Sequence, residues 1–186
     1  MNAKELLSEI KENIMDYDIA HLEENVKKEG INPISKQVST YNIENYKEIL
    51  SLDIGEDSKQ NIEVSDNLIK DIKDEIAKFF DGCSPESEDI FKNFITYICI
   101  YLSLIAKKPL HPVGMDFGNG KTVFKEGNNY YCDMKRELRM KSKDYYTCKY
   151  CICKEVEWLK KIKIIKIIRR IKRIKIIRRI KIIKNN

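Results

Sequence analysis

The sequence predicts a mostly α-helical fold, a bundle around one buried central helix with a small C-terminal lobe. That lobe is a glycine-rich β-hairpin and a cysteine knuckle. Three observations carry this expectation. Apolar residues recur at spacings of three and four through the first hundred residues, the period of helices with one buried face. The stretch 90–106 is apolar nearly all round, which marks a helix covered on every side by its neighbours. After Pro109 the composition changes: four of the seven glycines fall between Gly114 and Gly127, and four of the six cysteines between Cys132 and Cys153.

The elements follow in order. Leu6, Leu7, Ile10 and Ile14 predict a first helix over residues 3–15. Asp18 is suited to cap a second, with Ile19, Leu22 and Val26 inside and Gly30 and Pro33 ending it. His21 points away from that face and reads as a solvated surface histidine. Ile43, Tyr46 and Leu50 mark a weaker third helix, and the polar run 51–64 reads as a loop. Ser65 caps a fourth helix whose inner face is Leu68, Ile72, Ile76, Phe79 and Phe80, stopped by Gly82. Ser84, Pro85, Glu86 and Glu88 then open the central helix, a cap, a first-turn proline and acids at the positive end of the dipole. Its inner stripe is Phe91, Phe94, Ile95, Ile98, Leu102 and Ile105, and Cys99 in its middle reads as a buried structural thiol. Pro109 closes it. Residues 121–125 and 129–132 alternate like a hairpin around Glu126-Gly127-Asn128, which would present Cys132 at its end.

Charge divides the chain. Residues 158–186 carry 13 Lys and Arg and no acid, whereas residues 1–157 hold 22 basic and 29 acidic residues. One helix-rich domain is therefore expected over 1–157, with the cysteine lobe at about 109–157, followed by a basic low-complexity tail over 158–186. The start, MNAKELLSEIKEN, lacks a secretory pattern, so the cysteines read as thiols of a reducing cytoplasm rather than as a disulfide framework. The apolar stretch 90–106 contains Lys92 and Asn93 and falls short of the roughly 20 residues a bilayer span needs.

The chemistry expected of the lobe is metal binding. Cys148-Lys-Tyr-Cys151 has the two-residue spacing with which a short turn aims two thiolates at one ion, and Cys132 lies within reach upstream. Zinc is the favoured metal and an iron–sulfur cluster the alternative. The fourth ligand is open. His111, held between Pro109 and Pro112, is favoured. Cys83, at the far end of the central helix, is the alternative, and Cys153 is disfavoured because a residue one removed from Cys151 tends to point away. A redox role for the Cys-x-x-Cys pair would want a βαβ setting that this chain does not offer. A metal-dependent enzyme is a second reading, with the site between central helix and lobe and with Asp116, Lys121 or Lys135 as acid–base groups.

The segment Ala106-Lys-Lys-Pro-Leu-His-Pro-Val-Gly114, then Tyr131-Cys132, then Cys148-Lys-Tyr-Cys151, resembles an uncharacterised family of methanogenic archaea, domain of unknown function 2115. The resemblance covers roughly residues 65–155. It departs from the family pattern at Asp133 and Met134, where the family has Pro-Val, at Phe117-Gly118-Asn119-Gly120, and at Tyr150, where the family has Phe. Cys153 lies outside the pattern. The resemblance implies a small soluble archaeal protein and brings no activity with it.

The tail is almost wholly Ile, Lys and Arg, and the unit IKIIRRIK occurs at Ile165 and again at Ile174. A nine-residue shift is two and a half helical turns, so the second copy faces the opposite way. Three readings follow: a helix neutralising nucleic-acid phosphates through Lys166, Arg169, Arg170, Arg173, Arg178 and Arg179; an anchor on an anionic membrane through the same residues; or an unselected extension. No aromatic residue lies inside the repeat, so base stacking has nothing to use.

Overall fold

Helix propensity, caps and apolar spacing together produce seven α-helices among the described residues. The computed structural model describes residues 1–53, 63–80, 88–141 and 146–156, together with Ile167. Helix α1 is Ala3–Ile14. Its start is a reciprocal capping box: Asn2 Oδ1 accepts from the Glu5 backbone and Glu5 Oε2 from the Asn2 backbone, both at 2.9 Å. Leu6, Ile10 and Ile14 are fully buried. In α2, Ala20–Lys27, Asp18 accepts from the Ala20 amide at 3.0 Å, Leu22 is the buried residue and His21 is exposed.

Helix α3 departs from the sequence expectation. It runs Pro33–Ser51, so Pro33 opens a helix rather than ending the one before, with Asn32 as its cap. Its buried face is Asn42, Asn45 and Ile49, and Leu50 is 42% exposed. Two asparagines hid that face from a reading based on apolar spacing. The 51–64 segment is helical at Ser51 and extended at Glu63, which bridges to Asn2 while Val64 donates to the Met1 carbonyl at 2.9 Å.

Helix α4, Asp66–Phe80, buries Ile69, Ile72 and Ile76, with Phe79 half out in solvent. Helix α5, Glu88–Ile100, continues into a π-helical turn over Tyr101–Ile105. The expected caps at Ser84 and Pro85, the stop at Gly82, and Cys83 lie outside the described residues. The central position of α5 is as expected: α1, α3 and α4 all pack on it, and Phe94, Ile98, Ile100, Tyr101 and Leu102 are at most 1% exposed. Phe94 stacks on Tyr17 with ring centroids 4.1 Å apart. The π turn widens the helix end, Ala106 N–H reaching back to the Tyr101 carbonyl, and Lys107 at φ +50° lets the chain leave before Pro109.

Two Glu–Lys–Tyr triads tie α5 and its end to the surrounding helices. Glu9 accepts from Lys73 Nζ at 2.8 Å and Tyr97 OH at 2.9 Å, joining α1, α4 and α5. Glu48 accepts from Tyr101 OH at 2.8 Å and from Lys108 Nζ, joining α3 to the π turn. Burial pushes both carboxyls up, but the hydrogen bonds and the lysine charges outweigh it and hold them below the ordinary range.

The lobe follows. Strands β1, Val123–Glu126, and β2, Asn129–Cys132, pair antiparallel with Val123 opposite Cys132 and Glu126 opposite Asn129. The turn is therefore the two residues Gly127-Asn128, tighter than the expected three, with Gly127 at φ +59°. Helix α6 is Lys135–Lys141 and α7 is Tyr146–Tyr150. Strand β3, Lys154–Glu155, then pairs parallel with β2, giving the order β1-β2-β3. No helix is long and apolar enough to cross a membrane among the described residues.

Phe94→Ala should lower the unfolding free energy by about 3–5 kcal/mol in urea titration, the range for a fully enclosed aromatic. A loss under about 1 kcal/mol would mean that α5 is not the enclosed helix. The triads set the acid limb of stability. Glu9 and Glu48 have depressed folded values, so their contribution is present above the unfolded carboxyl value of about 4.3 and is lost as pH falls through the folded one. Glu9→Gln and Glu48→Gln should each flatten the loss of stability below that value, read from urea midpoints across pH. An unchanged slope would remove the triads from the account.

Candidate metal centre

Five cysteines are described and all are free thiols. They are brought to one region by separate pieces of chain. Strand β2 carries Cys132 at its end, where it packs with Val123 and Cys153 in a small core of its own, with Phe117, Met134 and Cys151 around it. Helix α7 carries Cys148, and Cys151 follows directly after the helix, its N–H reaching the Cys148 carbonyl at 3.3 Å. The expected knuckle is thus one helical turn ending in a bend. Helix α7 lies against α4 and buries Cys148.

Two sulfurs receive backbone amides. The backbone amides of Met134 and Lys135 act on Cys132, and those of Leu110 and Cys153 on Cys151. In both cases one donor is the residue two positions on. Such bonds favour the thiolate over the thiol. At Cys151 the hydrogen bond from the Cys153 thiol is the largest influence, and with the amides it outweighs burial and lowers the thiol below its ordinary value. Burial wins at Cys132, which is pushed up, the amides opposing it. Cys153 is pushed up because it holds the shared proton beside Cys151 and is buried.

Lys135 locks this arrangement. Its ammonium donates to the carbonyls of Cys151 at 2.6 Å and Cys153 at 2.8 Å, so α6 pins the segment that carries both sulfurs. Of the other two acid–base candidates, Asp116 accepts from the Gly118 amide at 2.7 Å in the glycine-rich turn, and Lys121 is paired with Glu137. Both have structural partners in the lobe.

His111 is held beside the centre. Pro109, two residues before it, accepts from Tyr41 OH of α3 at 2.9 Å, and the N–H of its neighbour Leu110 reaches Cys151. The imidazole itself sits edge-on to Phe117, centroids 5.4 Å apart, and lines a cavity in the bundle. Burial pushes it below its ordinary value, which keeps it neutral at pH 7.

Two further thiols lie near Cys151. Cys153 was expected to point away from Cys151. The chain bends between them before β3 begins, so it turns in and shares a proton with Cys151. Cys99, read as purely structural, is close enough to Cys148 and Cys151 to feel both, and burial with those neighbours pushes it up to about 12. No spacing in the sequence links a mid-helix cysteine to a pair fifty residues on. Among the described residues, no group of three or more His, Cys, Asp or Glu side chains is set to hold a metal ion. The tail residues Lys166, Arg169, Arg170, Arg173, Arg178 and Arg179 lie outside the described residues, as does Cys83.

Fold and lobe together define a class: a helical bundle whose central helix leads into a small thiol-bearing sheet. The chain matches the family described as "Uncharacterized protein conserved in archaea (DUF2115)" over residues 2–156, and it belongs to that family. It is 31% identical to a UPF0305 protein of Methanocaldococcus jannaschii over 170 residues, covering 86% of this chain and all of the relative. It is 28% identical to a UPF0305 protein of Methanococcus maripaludis over 145 residues, 78% of this chain and 83% of the relative. A UPF0305 protein of Methanothermobacter thermautotrophicus is 32% identical over 85 residues, 45% of this chain and 50% of the relative. No solved structure matches. The basic tail falls outside the family match.

Lys135→Met removes two charge-assisted bonds. It should lower stability by about 2–3 kcal/mol in urea and speed alkylation of Cys151 and Cys153, located by peptide mass spectrometry. Unchanged stability and labelling would show that the lysine does not pin the segment.

Proposed function

We propose that the lobe is a metal-binding centre holding one zinc ion, with Cys132, Cys148 and Cys151 as ligands and Cys153 as the fourth. The observation that supports it is the packing of Cys132 with Cys153, and of Cys151 against them, in one small core. Sulfur is a poor acceptor as a thiol and a good one as a thiolate, so backbone donors converging on two cysteines suit sulfurs that are used deprotonated. Metal-bound cysteine is in that state. Outer-shell donors of this kind also orient ligands. Cys153 replaces His111 in this reading because its thiol meets Cys151 and packs beside Cys132, whereas the imidazole faces the bundle cavity. Four sulfur ligands suit a structural ion that ties β2, α7 and β3 together. The centre requires a reducing, cytoplasmic setting.

Elemental analysis of protein purified under reducing conditions should find about one zinc per chain. Cys132→Ser and Cys151→Ser should each release it and loosen the lobe while leaving the bundle helical by circular dichroism. A brown sample with visible absorption would assign the same sulfurs to an iron–sulfur cluster. Folded wild-type chain that carries no metal and takes up no added zinc would overturn the reading.

A further inference from the structure

On the bundle side of the thiol lobe lies a cavity of about 380 Å³ between α3, α4 and α5, within the size range of small-molecule sites. Its walls include Phe80, Phe91, Ile98 and Leu110, and no Asp, Glu, Lys or Arg lines it among the described residues. A wider outer recess of about 640 Å³ shares Leu22, Ser39 and Phe91 with it and carries Asp16 and Asp18 at its rim, so the cavity has a route to solvent.

One wall residue stands out chemically. Asn42 is only 6% exposed, faces the cavity, and its carboxamide has no hydrogen-bond partner among the described residues. Asn45, one turn on and buried on the same helix, uses its amide to donate to the Tyr41 carbonyl at 2.7 Å. The Asn42 amide atoms are not among the side-chain atoms sealed off without a partner, so they open onto the cavity, where side-chain amides ordinarily find hydrogen bonds. A ligand that enters the cavity would satisfy them. Ionised ligands are disfavoured, because nothing charged inside would offset their desolvation.

We propose that this cavity is a binding site for a neutral small molecule with an aromatic or branched apolar body and one amide or lactam group, which pairs with the Asn42 carboxamide. The carboxamide offers one acceptor and two donors, and the complementary group is another amide. The body packs against Phe80, Phe91 and Leu110. A cavity of this volume suits roughly ten to fifteen non-hydrogen atoms. Leu110 also donates its N–H to Cys151, so the site shares a wall with the thiol lobe but uses none of its sulfurs.

The test uses the full chain with benzamide as probe and toluene as its apolar control, followed by nitrogen–proton NMR. Benzamide should shift the Asn42 side-chain amide signals saturably. Asn42→Leu should weaken benzamide about tenfold and leave toluene unchanged, while the melting temperature holds or rises, because an unpartnered polar group has been removed. Ile95→Trp, which fills the cavity, should abolish binding of both probes in a folded chain. The proposal is overturned if benzamide gives no saturable shift, if Asn42→Leu binds benzamide as well as wild type, or if Ile95→Trp leaves binding intact. It is also overturned if Asn42→Leu melts lower or fails to fold, since the carboxamide would then be structural.

Discussion

Burial of α5 from Phe94 onward is the constraint from which the rest of the molecule follows. Phe94, Ile98, Ile100 and Leu102 are all at most 1% exposed, so this part of α5 must be covered by α1, α3 and α4, while Ile90 near its start is 59% exposed. That enclosure sets the position of everything beyond the helix. The π turn at Tyr101–Ile105 and the two Glu–Lys–Tyr triads fix its end against α3. The chain then leaves through Pro109 and Leu110, which Tyr41 tethers from the same helix. The lobe is thereby presented at one end of the bundle with little freedom to shift.

At that end local backbone geometry gathers the sulfurs. The close of β2 turns the amides of Met134 and Lys135 toward Cys132, and the bend after α7 turns those of Leu110 and Cys153 toward Cys151. Lys135 connects the two halves, since it follows β2 closely while its ammonium holds the carbonyls of Cys151 and Cys153. The parallel pairing of β3 with β2 then brings Cys153 alongside Cys132. A single lysine and a two-residue strand hold together the segments that carry Cys132, Cys151 and Cys153.

Legibility in the sequence followed the strength of periodic signals. Apolar spacing located α1, α4 and α5, and Gly127-Asn128 between alternating residues located the hairpin. It missed the buried face of α3, because Asn42 and Asn45 are polar residues in core positions and Leu50, apolar, is exposed. Pro33 was read as a stop when it is a start, both being positions where its fixed backbone angle is at home. Strand β3 is too short to leave a pattern. In the lobe, spacing alone singles out Cys-x-x-Cys and Cys132 as candidates. Cys153 was set aside by a strand-like alternation rule that does not hold in a bend, and the approach of Cys99 to the pair depends on how α5 and α7 pack, which no local pattern records. Asn42 carried no signal at all, because its meaning lies in a partner it lacks.

The central claim is that β2 and the segment after α7 hold their sulfurs side by side. A short bifunctional thiol reagent applied to reduced, folded protein in the presence of a chelator, followed by peptide mass spectrometry, reads this directly. The account predicts a cross-link joining the peptide of Cys132 to the peptide of Cys151 and Cys153. Links confined to Cys148, Cys151 and Cys153, with Cys132 modified alone, would contradict it.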